Sequence, residues 1–276
     1  MPLAPDTAPV WDVIVARAKE NKARIAIGAG SEYADKTVAG AEEAAAKGYA
    51  EVTLVSGRRL RTRLPQVTSD DPEAALVDLL KSRKADGLVR GSLSASQMLK
   101  DLKAAFGLQQ LMRVSLLKAP GGRFFFFAPV GVDEGWTVPE KVELGVLGAA
   151  LIRRFGVEPD VGVLSGGRAG DRGRSPRVDQ TLDDAEEVAK ALRSKGIKAA
   201  HAQILIEDAI NEHNYVIAPD GICGNLIFRA LCLVGCGEGY GAPLVGTDLV
   251  YVDTSRTGSG YENAICMASA LVKKDK

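Results

Sequence analysis

Three observations predict an α/β protein. Short apolar strand-like runs alternate with Ala- and Lys-rich helical stretches along most of the 276 residues, 30 glycines supply tight turns between them, and aromatic residues make up only 5%. The length allows one large or two small domains with a substantial core.

Taken in order, a Pro-rich lead precedes a helix at 11–19, and 24–27 is a buried strand that breaks at Gly28-Ala29-Gly30. A helix at 35–47 ends at Gly48, the usual residue after a helix C-terminus, and 51–55 is the next strand. GAGSEY at 28–33 lacks the GxGxxG spacing of a dinucleotide fingerprint. The alternation continues through a helix at 72–83, a strand at 87–89 and a helix at 94–106, where Ser94 suits the N-cap. Two apolar runs, 111–117 and 123–127, flank Ala119-Pro120-Gly121-Gly122 and read as a β-hairpin; its four phenylalanines suit a strand buried on both faces. The Gly-containing acidic stretch 129–136 reads as a domain crossover. A helix at 139–155 and a strand at 161–164 follow, then a helix expected to open at Thr181 and Asp184 in capping-box-like spacing. The segment 199–211 is ambiguous, 215–218 is a strand, and a helix starts at Asn225.

Thirty-five basic and 35 acidic residues cancel, which removes the electrostatic argument for nucleic acid or an anionic membrane. Anion recognition must therefore be local. No apolar run has a transmembrane length, and MPLAPDTAPVWDVI has neither the basic nor the apolar region of a secretory leader, so a cytoplasmic protein is expected. Four cysteines, all beyond residue 220, make no disulfide framework, and no ligand spacing points to a metal or to a Ser-His-Asp triad. Cys232 and Cys236, without a second ligand pair, are packing residues.

Two stretches carry chemistry. In 250–265, VYVDTSRTGSGYENAI, a strand ends at Asp253, Thr254, Ser255 and Arg256 occupy a loop, and glycines lead into an apolar helix. A strand, loop and helix N-terminus in that order present backbone N–H groups to an anion, and Arg256 adds a planar fork of donors. In 165–177, SGGRAGDRGRSPR, Arg168, Arg172, Arg174 and Arg177 alternate with small residues, either as a solvated loop or as an anion clamp. Asp220 stands at the carboxyl end of a strand, where it caps the next helix or serves a ligand.

These segments, with ADGLVRG, FFFFAPVGVDEG, EPDVGVLSGG and NYVIAPDGICGNLIFRAL, occur in an order that resembles the phosphate acetyl- and butyryltransferases over nearly the whole chain after residue 22. Pro219, Asp220, Gly224, Asn225, Ser255 and Arg256 are its most specific anchors. Within that superfamily the Arg-rich loop is similar to that of the methanogenesis marker protein 4 (MtxX) family, whose label is methyltransferase subunit. The resemblance implies two α/β/α sandwich domains of isocitrate/isopropylmalate-dehydrogenase-like fold, 1–130 plus 245–276 around 131–244, with a cleft between them and a homodimer built through the second. It implies that Ser255 and Arg256 bind a phosphoryl end and steady a tetrahedral transition state, and that Glu262 takes a thiol proton where relatives carry Asp. Lys100 stands where relatives carry a phosphate-binding Arg, and Thr254, Asp220, Asn225 and the loop arginines complete an anion site. Coenzyme A or another phosphorylated ligand is the implied substrate, with no tightly bound cofactor. An ordinary Glu is about four pH units too acidic for a thiol, so that transfer is roughly 6 kcal/mol uphill unless burial raises the acid or the arginines lower the thiol. The alternatives are an accessory protein that binds without turnover and methyl transfer, for which the sequence offers no glycine-rich methyl-donor motif.

Overall fold

The computed structural model describes residues 8–258 and 260–273. The opening residues 1–7, with most of the Pro-rich lead, and Ser259 lie outside them.

In chain order the elements are α1 (Ala8–Asn21), β1 (Arg24–Ala29), α2 (Ala34–Ala46), β2 (Glu51–Ser56), β3 (Gln66–Thr68), α3 (Pro72–Lys81), β4 (Gly87–Val89), α4 (Ala95–Phe106), β5 (Met112–Arg113), β6 (Ser115–Lys118), β7 (Phe124–Ala128), α5 (Val138–Arg154), β8 (Asp160–Leu164), α6 (Pro176–Ser194), β9 (Lys198–Gln203), α7 (Ile206–Glu212), β10 (Tyr215–Ile217), α8 (Gly221–Arg229), β11 (Glu238–Gly239), β12 (Ala242–Val245), β13 (Tyr251–Asp253) and α9 (Tyr261–Leu271). The fold is mixed α/β with two sheets dominated by parallel pairs.

One compact unit is built from Trp11–Leu111 and the chain from Gly239 onward. Its strands run β3-β2-β1-β4-β13-β12, parallel except for the antiparallel β12–β13 pair. Ala26, Leu76, Leu88, Met98 and Tyr251 pack into its core. From β1 the chain winds through α2 to β2 on one side, while β4 lies on the other side of β1. The connections therefore diverge at the carboxyl ends of β1 and β4, where doubly wound sheets leave a crevice.

The other unit comprises Met112–Glu238, with strands in the order β6-β7-β10-β8-β9. The hairpin expected to close the first domain supplies β6 and β7 of this sheet, so the division falls after Leu111 and the chain returns at Gly239. Phe125, Phe126 and Phe127 are fully buried, as a strand covered on both faces requires. Residues 129–136 are a loop of this unit, in place of the expected crossover: Glu134 is buried and accepts from Arg113 Nε at 2.6 Å. Two helix starts also differ. α6 opens at Pro176 behind the cap Ser175, because Thr181 Oγ1 is spent accepting the Gly166 N–H at 2.8 Å and donating to Val178 O at 2.8 Å. α8 opens at Gly221, with Asp220 as its cap, four residues before Asn225.

A candidate anion site at the carboxyl edge of a parallel sheet

The crevice in the first unit is a cavity of about 460 Å3, walled by residues that follow β1 (Gly30, Ser31, Glu32), β2 (Gly57, Arg58, Leu60) and β4 (Ser92, Leu93, Ser94), by Pro72 and Glu73, and by Arg256 after β13. Its size is that of an ordinary small-molecule pocket.

Close backbone approach makes the wall. A Cβ on Gly91, whose φ is +62°, would stand 2.0 Å from Gly28 O, and one on Gly30 would stand 2.5 Å from Ser92 O. The two loops are then bonded together. Ser92 Oγ accepts the Gly30 N–H at 2.8 Å and lies 2.8 Å from Thr37 Oγ1, which donates to Tyr33 O at 3.0 Å. A hydroxyl has one proton, so Ser92 donates to Thr37. Below the wall, buried Arg90 donates to Asp253 Oδ1 and, at 2.7 Å, to Leu93 O. That pair fixes the loop after β4 to the loop after β13. Thr254 Oγ1 adds a bond to Gly91 O at 2.7 Å.

Three helices start at this wall. Ala34 opens α2, Pro72 and Glu73 open α3, and Ser94 caps α4 by accepting the Gln97 N–H. The N-cap of α2, Tyr33, gives no side-chain cap. Each helix N-terminus carries roughly half a positive charge and unsatisfied N–H donors, so the three together favour an anion. Among side chains, Arg58 and Arg256 face Glu32 and Glu73 around the wall. Glu73 is already committed, because its Oε1 accepts the Ser94 N–H at 3.0 Å.

The expected residues of 250–265 separate here. Arg256 is exposed and lines the cavity; Thr254, Ser255 and Glu262 are not among its described lining residues. Ser255 Oγ lies 3.2 Å from Thr257 Oγ1, and the Tyr261 hydroxyl, its pKa raised by burial, reaches Arg256 O at 2.9 Å and Ser255 O at 3.3 Å. Glu262 sits in the first turn of α9 and acts electrostatically on Lys47, Tyr49 and Cys266. Burial first, and Glu262 with it, pushes the Cys266 thiol up to about 12. Lys100 is exposed on the second turn of α4 and is likewise not a lining residue.

The other expected residues belong to the Met112–Glu238 unit. Arg172 pairs with Asp183 at 2.6 Å, Arg174 with Asp171 at 2.6 Å and Arg177 with Asp220 at 3.5 Å. Arg168 donates its backbone N–H to Asp171 Oδ2 at 2.8 Å. Asp220 Oδ1 caps α8 through the Cys223 N–H at 2.8 Å, and Asn225 Nδ2 donates to Val130 O at 3.0 Å. This unit also holds a contact that spacing did not suggest: Ser165 Oγ lies 2.8 Å from His201 Nε2, with Glu186 3.8 Å from Nδ1. Because Ser165 Oγ also donates to Gly167 O at 3.0 Å, its proton is engaged and His201 is the donor. The trio closes a loop; it does not activate a nucleophile. Arg58, too, escaped the sequence reading, although GRRLRTR at 57–63 shows the same arginine density as the loop that was noticed.

No family model matches the sequence. The chain has the fold seen in phosphotransacylases: it superposes on a branched-chain phosphotransacylase from Enterococcus faecalis with a TM-score of 0.69, at 19% identity and covering 91% of this chain and 100% of the other. A phosphotransacetylase from Streptococcus pyogenes follows at 0.63, 19% identity, 95% and 97%. More narrowly, the chain belongs to the mtx subunit X family. It is 48% identical over 269 residues to the "Putative methyltransferase mtx subunit X" of Methanosarcina mazei, covering 96% of both, and 50% identical over 264 residues to that of Methanosarcina acetivorans, covering 94% of both.

Proposed function

We propose that this protein is a cytoplasmic transferase that holds the phosphate end of a small anionic substrate in the cavity of its first unit, in the manner of phosphate acyltransferases. One observation carries the reading: three helix N-termini and two arginines meet on one pocket at the point where the sheet's connections diverge. The names of the fold neighbours support acyl transfer to or from phosphate, and the name borne by the family supports a transferase. Coenzyme A or a related thiol is the acceptor this chemistry suits. The relatives' occurrence in Methanosarcina supports an archaeal, methanogenesis-associated role. Among the described residues no helix is long and apolar enough to cross a membrane.

In this scheme Arg256 binds the phosphoryl oxygens and Ser255, beside it in the loop, turns its hydroxyl toward the transferring group; a donor aimed at the developing oxyanion contributes about 3 kcal/mol. For the proton, the resemblance names Glu262, yet among the described residues the wall carboxylate that makes no hydrogen bond is Glu32. Glu262, set among Lys47, Tyr49 and Cys266, favours a second reading: an accessory protein that binds its ligand without turnover.

The test is thioester formation from coenzyme A and a panel of acyl phosphates, alongside calorimetric binding of inorganic phosphate. Turnover that falls at least about a hundredfold in Arg256→Ala supports the transferase. Binding without turnover, lost in Arg256→Ala, supports the accessory role. If turnover occurs, Glu32→Gln and Glu262→Gln decide which carboxylate takes the proton. Two copies are expected to pair through the second unit, where Val132, Ile222, Leu226 and Val234 are exposed; Leu226→Glu should then shift sedimentation from dimer to monomer.

A further inference from the structure

The cavity opens beside a feature its own wall does not exhaust. Immediately after β2, residues 57–64 place Arg58, Arg59, Arg61 and Arg63 within six positions, all four exposed. Among the described residues their guanidinium groups form neither a hydrogen bond nor an ion pair. Several other exposed arginines of this chain find carboxylates: Arg24 takes Asp86, Arg153 takes Glu158 and Arg193 takes Glu186. Four unpaired like charges repel one another, and a folded chain keeps them together only at a cost.

The loop that displays them is built. Leu60 is buried, and Gln66 grips its backbone from both sides, accepting its N–H at 2.9 Å and donating to its carbonyl at 3.3 Å. Ser56 Oγ donates to Arg58 O at 2.6 Å, and Thr62 Oγ1 donates to Glu42 at 2.7 Å while accepting the Leu64 N–H at 3.2 Å. Gly57, Arg58 and Leu60 are themselves wall residues, so the arginines continue outward from the pocket rim. A backbone held this firmly, with its charged ends left over, is preorganised for a partner that brings negative charge.

Resting on the reading of the cavity as an anion site, we propose that the ligand is a small molecule bearing two or more phosphate groups: one lies in the cavity against Arg256, and the others lie along the loop of Arg58, Arg59, Arg61 and Arg63. Guanidinium forks suit phosphate oxygens, two N–H groups to each group. A single orthophosphate fills only the inner position. The chain's zero net charge argues against a general nucleic-acid surface, and a loop of four arginines beside a pocket matches a compact polyanion.

Titration calorimetry of the full chain with orthophosphate, pyrophosphate and tripolyphosphate at fixed ionic strength tests this. The wild type should bind tripolyphosphate at least about tenfold more tightly than orthophosphate, the equivalent of one well-formed charge-assisted contact. The combined variant Arg59→Ala, Arg61→Ala, Arg63→Ala should erase that gain and leave orthophosphate binding within about twofold, whereas Arg256→Ala should weaken both. As a control, Lys190→Ala, Lys195→Ala and Arg229→Ala remove three exposed charges from the other unit and should leave every affinity as it was. Tripolyphosphate no tighter than orthophosphate, an equal loss for both in the loop variant, the same loss in the control, or single-stranded RNA bound through the loop with no effect of Arg256→Ala would each overturn the proposal alone. Failure of every phosphate to bind would overturn the cavity reading on which it rests.

Discussion

Replacing Arg90 by methionine isolates the pair on which the cavity wall rests. Arg90 and Asp253 are 5% and 8% exposed, and Arg90 also donates to Leu93 O at 2.7 Å. Removing one member of a buried ion pair leaves the other charge desolvated, which costs about 3–5 kcal/mol, a large fraction of the roughly 5–15 kcal/mol that holds a domain. Arg90→Met and Asp253→Leu should each lower stability by that amount. The double variant should lose at least about 2 kcal/mol less than the two added together, because neither charge is then stranded. Urea unfolding read by Trp11, which packs edge-on against Tyr240 at 4.6 Å in the same unit, follows the right part of the chain once Trp136→Phe silences the other tryptophan. With a slope of about 2 kcal/mol per molar urea, each single change should move the midpoint by roughly 2 M. Strict additivity, or single losses under about 1 kcal/mol, would refute the claim that this pair is a buried, mutually dependent clamp.

Other consequences are as direct. Gly91→Ala should cost at least about 3 kcal/mol and weaken any ligand of the cavity, since its Cβ would meet Gly28 O at 2.0 Å; Gly48→Ala, with φ of +71° and nothing within 4 Å, should cost only about 1 kcal/mol in the same urea assay. Burial pushes the Asp160 carboxyl up, but hydrogen bonds from His213 and Lys198 outweigh it and hold its pKa below the ordinary value. Its contribution is therefore complete above about pH 4 and lost as pH falls through the lowered folded value, so acid unfolding read by Trp136 fluorescence should flatten in Asp160→Asn. An unchanged acid midpoint in that variant would show that the carboxylate is not the group responsible.

Much of the fold was legible because its elements announce themselves locally. Ser94 reads as a cap and is one, Gly87–Val89 reads as a strand between punctuating residues, and the four phenylalanines admit only a strand covered on both faces. What failed did so where a side chain had two uses. Thr181 has the spacing of a helix cap, yet its hydroxyl is taken by the Gly166 N–H, and α6 starts five residues earlier behind Ser175. Asp220 is a carboxylate at a strand's end, and it spends one oxygen on the Cys223 N–H and offers the other to Arg177. The hairpin's membership was illegible for another reason: pairing within β6 and β7 is local, but the sheet they join is set by β10, far along the chain.

The two arginine-rich loops show what residue density leaves undetermined. Both stretches carry four arginines in a short span, and sequence reading favoured 165–177 because glycines accompany them. Folding separates the cases by the carboxylates it delivers. Asp171, Asp183 and Asp220 arrive beside the first loop and neutralise Arg174, Arg172 and Arg177, so most of its charge is consumed inside its own unit. Among the described residues no such partner reaches Arg58, Arg59, Arg61 and Arg63, although Glu42 comes close enough to bind Thr62. A charge that the fold could have paired and did not is better ground for a ligand than a charge that is merely present, because its repulsion is relieved only by something from outside. The uncompensated charge thus lies on the side of Arg256 and β2, whereas the glycine-arginine loop, for all its composition, largely satisfies itself.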